Sequence, residues 1–206
     1  MRTGFTQTAR PVAATANEMQ EYLLVVCPDA DVYNQMKTIE QQFYIDYGVK
    51  PSPQGLKSYI KVAGFHAREV MEETLIRWIE RICARHRSFP VTLNNYSGFP
   101  PHTIYLRIQD PGPFNRLSRE LRAVDELIRS SWCPPAHLVA KPYLGVATRL
   151  PDQVYEKAMP EYSRKTFHAS FMVKELLLLR KDRLSGACGT LNIFRLPPTD
   201  SCSFDE

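Results

Sequence analysis

One unit, a strand followed by a helix and then a strand pair, occurs twice along this chain, and that repetition constrains the fold more than any other feature. The first copy runs through a strand at 59–65, a helix at 68–85 and strands at 90–96 and 102–108. The second runs through a strand at 139–147, a helix at 152–160 and strands at 167–181 and 190–196. Each opens on a Lys-x-Tyr strand, Lys57–Ser58–Tyr59 and Lys141–Pro142–Tyr143. A sheet must bury one face against another layer. Two such copies therefore imply an α+β fold: two pseudo-symmetric lobes of antiparallel sheet, helices outside, around a central cleft.

The elements are read from side-chain periodicity. Glu21–Val26 is a short apolar run ending before Pro28, hence a buried strand. Asp29 offers a helix cap, Val32, Met36, Ile39 and Phe43 recur at helical spacing, and Gly48 supplies the stop. The stretch 51–55 reads as a loop, with two prolines and a glycine. In the helix at 68–85, Met71, Leu75, Trp78, Ile79 and Ile82 form one stripe, while Arg77, Arg81 and Arg85 fall on another. The arginines read as a solvated face with Glu73 and Glu80 near enough to pair, or as a nucleic-acid contact. The hairpin strand at 102–108 alternates Ile104, Leu106 and Ile108 with Thr103, Tyr105 and Arg107. A further helix at 113–129 starts on Pro113 and buries Phe114, Leu117, Leu121, Val124 and Ile128. The domain is expected to span 20–196, with a flexible lead at 1–19 and a polar, proline-led tail at 197–206.

Composition excludes several classes. The 206 residues are enough to bury a sizeable core without disulfides or metal. Five cysteines, Cys27, Cys83, Cys133, Cys188 and Cys202, include no CxxC pair and no Cys/His pair at zinc-ligand spacing. We therefore expect a reducing, cytoplasmic setting, and neither metal nor other cofactor. No run approaches the 18 or so apolar residues that a membrane helix needs, and residues 1–19 lack the apolar core of a secretory signal. A monomer is expected. The net charge of +4 permits phosphorylated partners without demanding them.

Several segments resemble the two-histidine phosphoesterases, the LigT-like or 2′-5′ RNA ligase-like group. They are the Glu21–Val26 strand with its Pro28–Asp29 exit, the run from Phe99 to Tyr105, and the run from Glu161 through Phe167 to Leu179. To these are added the segments Lys57–Phe65 and Lys141–Arg149. The resemblance spans about residues 21 to 195. It implies two His-x-Thr/Ser-x motifs, one per lobe, in which one histidine takes a proton from the attacking oxygen and the other gives one to the leaving oxygen.

Here Tyr59 and Tyr143 stand where that resemblance places the histidines, and Lys61 and Gly145 stand where it places the hydroxyl residues. Such proton transfers need groups titrating near neutrality, and free tyrosine titrates near 10. No catalytic residue is therefore assigned. Period two puts Tyr59 and Lys61 on one face and Tyr143 and Gly145 on one face, opposite Ile60, Val62, Leu144 and Val146. Both tyrosines are expected to face one common cleft, with hydroxyls no more than about 15 Å apart. The ligand-binding candidates are Tyr59, Lys61 and Tyr143, with Lys57, Lys141 and Arg149 at the margins. Aromatic rings stack bases and lysine pairs with phosphate, so the partner implied is RNA or a phosphorylated small molecule.

Three readings stand. The chain is a binding module that has lost its chemistry, or an enzyme with another acid/base set, or an interaction module whose cleft the tyrosines fill. The enzyme reading would use a tyrosine whose pKa Lys61 or Lys57 lowers. The histidines carry no role: His102 starts a strand at a turn and, with Thr103 next to it, cannot present both groups to one ligand. His66 starts a helix, His137 and His168 lie at strand ends, and His86 is solvated between arginines.

Overall fold

The structure, a computed structural model, describes residues 18–49, 58–183 and 186–199. Lys57, the loop expected at 51–55, Cys202 and most of the expected lead and tail lie outside these residues. Strands β1 (Met19–Val26), β2 (Ile60–Arg68), β3 (Phe89–Phe99), β4 (Thr103–Ile108), β5 (His137–Leu138), β6 (Tyr143–Ala147), β7 (His168–Val173), β8 (Glu175–Lys181) and β9 (Cys188–Arg195) form one curled antiparallel sheet. The helices are α1 (Ala30–Tyr47), α2 (Glu72–Cys83), α3 (Gly112–Glu120), α4 (Arg122–Ser130) and α5 (Asp152–Tyr162).

The α+β class and the two halves are as expected, but the strands are shared out differently. The order is β7-β3-β4-β6-β2-β1-β8-β9, with β5 paired to β2. One half is therefore β7-β3-β4-β6, with α1 and α5 against it. The other is β2-β1-β8-β9, with α2, α3 and α4 against it. Each half draws strands from both sequence copies. The two halves meet at the single pair Ile60↔Leu144.

That exchange explains two misplaced boundaries. The strand expected at 167–181 breaks at Lys174, because β7 pairs with β3 at one end of the sheet and β8 with β1 near the other. The strand expected at 139–147 starts only at Tyr143, after Pro142, which has no N–H to give to a ladder. His66 lies inside β2 and not at a helix start; the strand runs on to Arg68, and a short 3₁₀ turn over Glu69–Met71 precedes α2. The helix expected at 113–129 divides at Leu121 into α3 and α4, although its five apolar positions are all buried as expected.

The local signals elsewhere act as read. The Asp29 carboxylate accepts from the Val32 amide at 3.0 Å and caps α1. Gly48 ends that helix at φ 62°, a conformation that a Cβ disfavours. Leu75, Ile79, Ile82 and Cys83 are the buried face of α2, and Trp78 packs half-buried beside them. Arg77 and Arg85 are exposed, each donating to a carbonyl one turn back, and Arg85 also lies 3.8 Å from the Glu120 carboxylate. The first residues after β9 are held: Ser88 donates its amide to the Pro197 carbonyl, and Thr199 bonds Ser88.

Gly98 on β3 lies close under α5. A Cβ there would overlap the Tyr155 hydroxyl and lie 2.7 Å from Met159 Sδ, both on α5. Gly98→Ala is expected to lower the unfolding free energy by about 1–3 kcal/mol, the usual penalty of overpacking. Urea unfolding reads this directly, and an unchanged midpoint would show that α5 yields freely.

Candidate functional site

The alternation of β2 and β6 decides which side chains leave the core. Ile60 and Leu144 are fully buried on the helix side, so Tyr59, Lys61, Tyr143 and Gly145 point to the other, concave face. Continuing the antiparallel register by one residue each way from Ile60↔Leu144 sets Lys61 opposite Tyr143 and Tyr59 opposite Gly145. Tyr59 and Tyr143 are then diagonal neighbours, roughly 7–8 Å apart along the backbones. Tyr59 immediately precedes β2 and Tyr143 opens β6, so the two tyrosines lie at the starts of neighbouring central strands, one in each half.

The surroundings of the pair are unequal. On the β2 side Tyr59 packs against the buried cluster of Leu23, Val25 and Leu179, as do Cys27, Leu177 and Cys188. Burial raises its pKa above the ordinary tyrosine value, and Cys188 and Tyr143 add to the shift while Arg149 opposes it. The expectation of a lysine-lowered tyrosine is therefore reversed at this position. Lys61 lies along the sheet over Gly64, where an added Cβ would stand 3.0 Å from its Nζ. Burial lowers the lysine pKa, with Lys181 assisting and Glu21 opposing. Glu21 itself pairs with Lys181 at 2.8 Å.

On the β6 side Tyr143 belongs to an aromatic group. Its ring lies 4.9 Å from that of Tyr105 and 5.2 Å from that of Phe99, and Phe99 and Tyr105 stack at 4.4 Å. These two rings were missed by sequence reasoning. The signal was present in the alternation of β4: Ile104 and Leu106 are fully buried, so Tyr105 must occupy the concave face.

Beyond β6 an open pocket of about 640 Å³ is lined by His102, Thr103, Tyr143, Thr148, Arg149 and Leu150. Arg149 is exposed and holds φ at 55°, the left-handed region, which costs a non-glycine residue roughly 1 kcal/mol. The reason is local. Leu150 turns into the core, 3% exposed, and donates its amide to the His102 carbonyl at 2.9 Å, while Arg149 stays outside. His102 Nδ1 lies 3.3 Å from the Leu150 carbonyl and 3.6 Å from Asp152. His102, in the turn before β4, and Thr103, the first residue of β4, both line this pocket. Of the other marginal residues, Lys141 is exposed in the bend before β6 and does not line this pocket. His86 is half-buried beside Glu120, 3.1 Å from its carboxylate, and not solvated. Among the described residues no cluster of three or more His, Cys, Asp or Glu side chains is placed to hold a metal ion, and no helix is long and apolar enough to cross a membrane.

Comparison with known proteins adds an independent line. Residues 57–184 match the sequence pattern of the 2'-5' RNA ligase superfamily. No protein of curated function matches the chain. Among solved structures, TT0787 of Thermus thermophilus is similar, with a TM-score of 0.63 at 19% identity, covering 86% of this chain and 98% of that one. E. coli LigT complexed with 3'-AMP superposes with a TM-score of 0.59 at 15% identity, covering 87% of this chain and 99% of that one. The same LigT complexed with phosphate gives 0.60 at 15% identity with equal coverage. At these identities the likeness is one of fold.

Proposed function

From the premise that this chain belongs to the 2'-5' RNA ligase superfamily, we propose that it is a member without the superfamily's chemistry, which holds a nucleotide, short RNA or other phosphorylated ligand in the cleft. Tyr59 and Tyr143 take the positions of the two motif histidines. The observation that carries this reading is the burial of Tyr59. A phenol whose pKa is raised further from neutrality stays protonated and takes no proton from an attacking oxygen. Binding needs no such transfer. Lys61 supplies a point charge on the cleft face, Arg149 supplies a planar fork at its margin, and Tyr105, Tyr143 and Phe99 offer ring faces to a base. That E. coli LigT has been solved with 3'-AMP and with phosphate supports this choice of ligand class.

The ring cluster also favours a second reading, in which Phe99, Tyr105 and Tyr143 satisfy one another, fill the cleft and leave it as an interaction surface. One calorimetric titration separates the two. The full chain is titrated with 3'-AMP and with a short single-stranded RNA at low salt, beside an assay of 2',3'-cyclic nucleotide opening. Saturable binding with background turnover is the expected result. Absence of binding at millimolar ligand would favour the filled cleft, and turnover well above background would refute the loss of chemistry.

A further inference from the structure

We propose that the pocket bounded by His102, Thr103, Thr148 and Arg149 holds the ligand's phosphoryl group, beside the tyrosine pair and not between its two rings. This rests on the reading of the cleft as a phosphoryl-ligand site and says where in it the charge is bound. The pocket has room for such a group, at about 640 Å³, and Tyr143 is its wall toward the cleft. A ligand anchored there places its attached base toward the stacked rings of Tyr105 and Phe99, which flank Tyr143.

The donor set fits a phosphate. Arg149 is a permanent cation whose fork matches two phosphate oxygens. Thr103 and Thr148 carry hydroxyls at the same pocket. His102 forms part of the pocket wall, and its Nδ1 lies 3.3 Å from the Leu150 carbonyl and 3.6 Å from the Asp152 carboxylate, contacts that fix the ring beside Arg149. Asp152 does not line the pocket, and among the described residues no other carboxylate does. The space between the tyrosines is worse suited. Gly145 has no hydroxyl to offer there, and Lys61 lies flat over Gly64 with its amine half-buried.

The backbone supplies an observation independent of the side chains. Arg149 is one of three non-glycine residues with positive φ among those described. Strained conformations of this kind persist where the surroundings over-determine them and concentrate at ligand sites. Here the constraint is the anchored Leu150, which leaves Arg149 on the pocket rim. The Arg149 charge also opposes the upward shift of the Tyr59 pKa, which sets the pocket rim on the same side of the sheet as the tyrosine pair.

The test is calorimetric, on the full chain, with inorganic phosphate, 3'-AMP and adenosine as probes. The variants are Arg149→Gly, which keeps the backbone conformation, His102→Asn and Thr148→Val, with Lys61→Gln for the rival position and Arg77→Gln on the outer face of α2 as control. Circular dichroism melting confirms that each variant is folded. Arg149→Gly is expected to weaken 3'-AMP and phosphate on the order of ten-fold or more, the size of a lost charge-assisted pair. His102→Asn and Thr148→Val should weaken both several-fold, with adenosine affected little and Arg77→Gln matching the wild type. If Lys61→Gln removes phosphate binding while the pocket variants leave it intact, the group sits between the tyrosines; this assignment falls and the cleft function stands. If the wild type binds none of the three probes, both fall.

Discussion

Replacing Tyr59→His, Tyr143→His, Lys61→Thr and Gly145→Thr together is expected to raise the rate of 2',3'-cyclic phosphate opening at least a hundred-fold over the unaltered chain. On the proposed reading, positions 59 and 143 lack an acid and a base. A positioned group titrating near the working pH contributes about 10²–10⁴-fold in proton transfer, and the raised pKa of Tyr59 moves it away from that range. Positions 59 and 143 flank the Ile60↔Leu144 pair on the concave face, diagonal to one another at roughly 7–8 Å between backbones. In the four-fold variant the new threonine hydroxyls draw the phosphorus between the two imidazoles, one toward the incoming oxygen and the other toward the oxygen that leaves. The substitutions are compatible with local packing. At Gly145 an added Cβ meets only Thr148 Cγ2, at 3.3 Å, and a threonine side chain can turn aside. At 61 a shorter side chain uncovers the strip over Gly64. A fluorogenic or chromatographic assay at neutral pH reads the gain. A folded variant at background rate would show that the cleft lacks more than its histidines.

The local elements of this fold were legible because each is determined by its own period. The α1 cap and stop, the α2 stripe and the five apolar positions of α3 and α4 all depend on neighbours within a turn or two. Even the Tyr59/Lys61 face followed from two buried residues, Ile60 and Val62. What sequence reasoning missed depends on distant partners. Lys174 separates two strands that pair at opposite ends of the sheet, and no local feature of the apolar run 167–181 records which partner each half will find. The ring group at the cleft has the same origin: Phe99, Tyr105 and Tyr143 come from three strands and meet only after β4 pairs with both β3 and β6. The His102–Arg149 pocket likewise depends on the long-range bond from Leu150 to the His102 carbonyl. At Tyr59 the inference from nearby lysines failed because the direction of the shift is set first by burial, and burial is a property of the assembled β1, β8 and β9 surface.

Phe43→Ala is expected to lower the unfolding free energy by about 3–5 kcal/mol, the range for truncating a fully buried phenylalanine. Phe43 is 0% exposed and comes from the last third of α1, whose apolar spacing was readable in the chain. Its ring lies 4.7 Å from Tyr47 on the same helix and 5.4 Å from Tyr162 at the end of α5. Tyr162 in turn meets Tyr96 of β3 edge-on at 5.0 Å. One side chain therefore joins the two helices that pack beneath β7-β3-β4-β6, the half that carries Tyr143. Rings this closely fitted cannot collapse into the vacated volume without moving a helix, so the cavity persists and adds to the lost burial. The nearby Tyr47→Phe is the contrasting change. It removes only the hydroxyl that donates to Glu161 at 2.6 Å on an exposed surface, and should leave the unfolding midpoint where it is. Urea titrations of both variants, compared at equal m-value, provide the measurement. A loss below about 1 kcal/mol for Phe43→Ala would mean that α1 and α5 close over the gap, and that the seat of Tyr143 is less rigid than its packing implies.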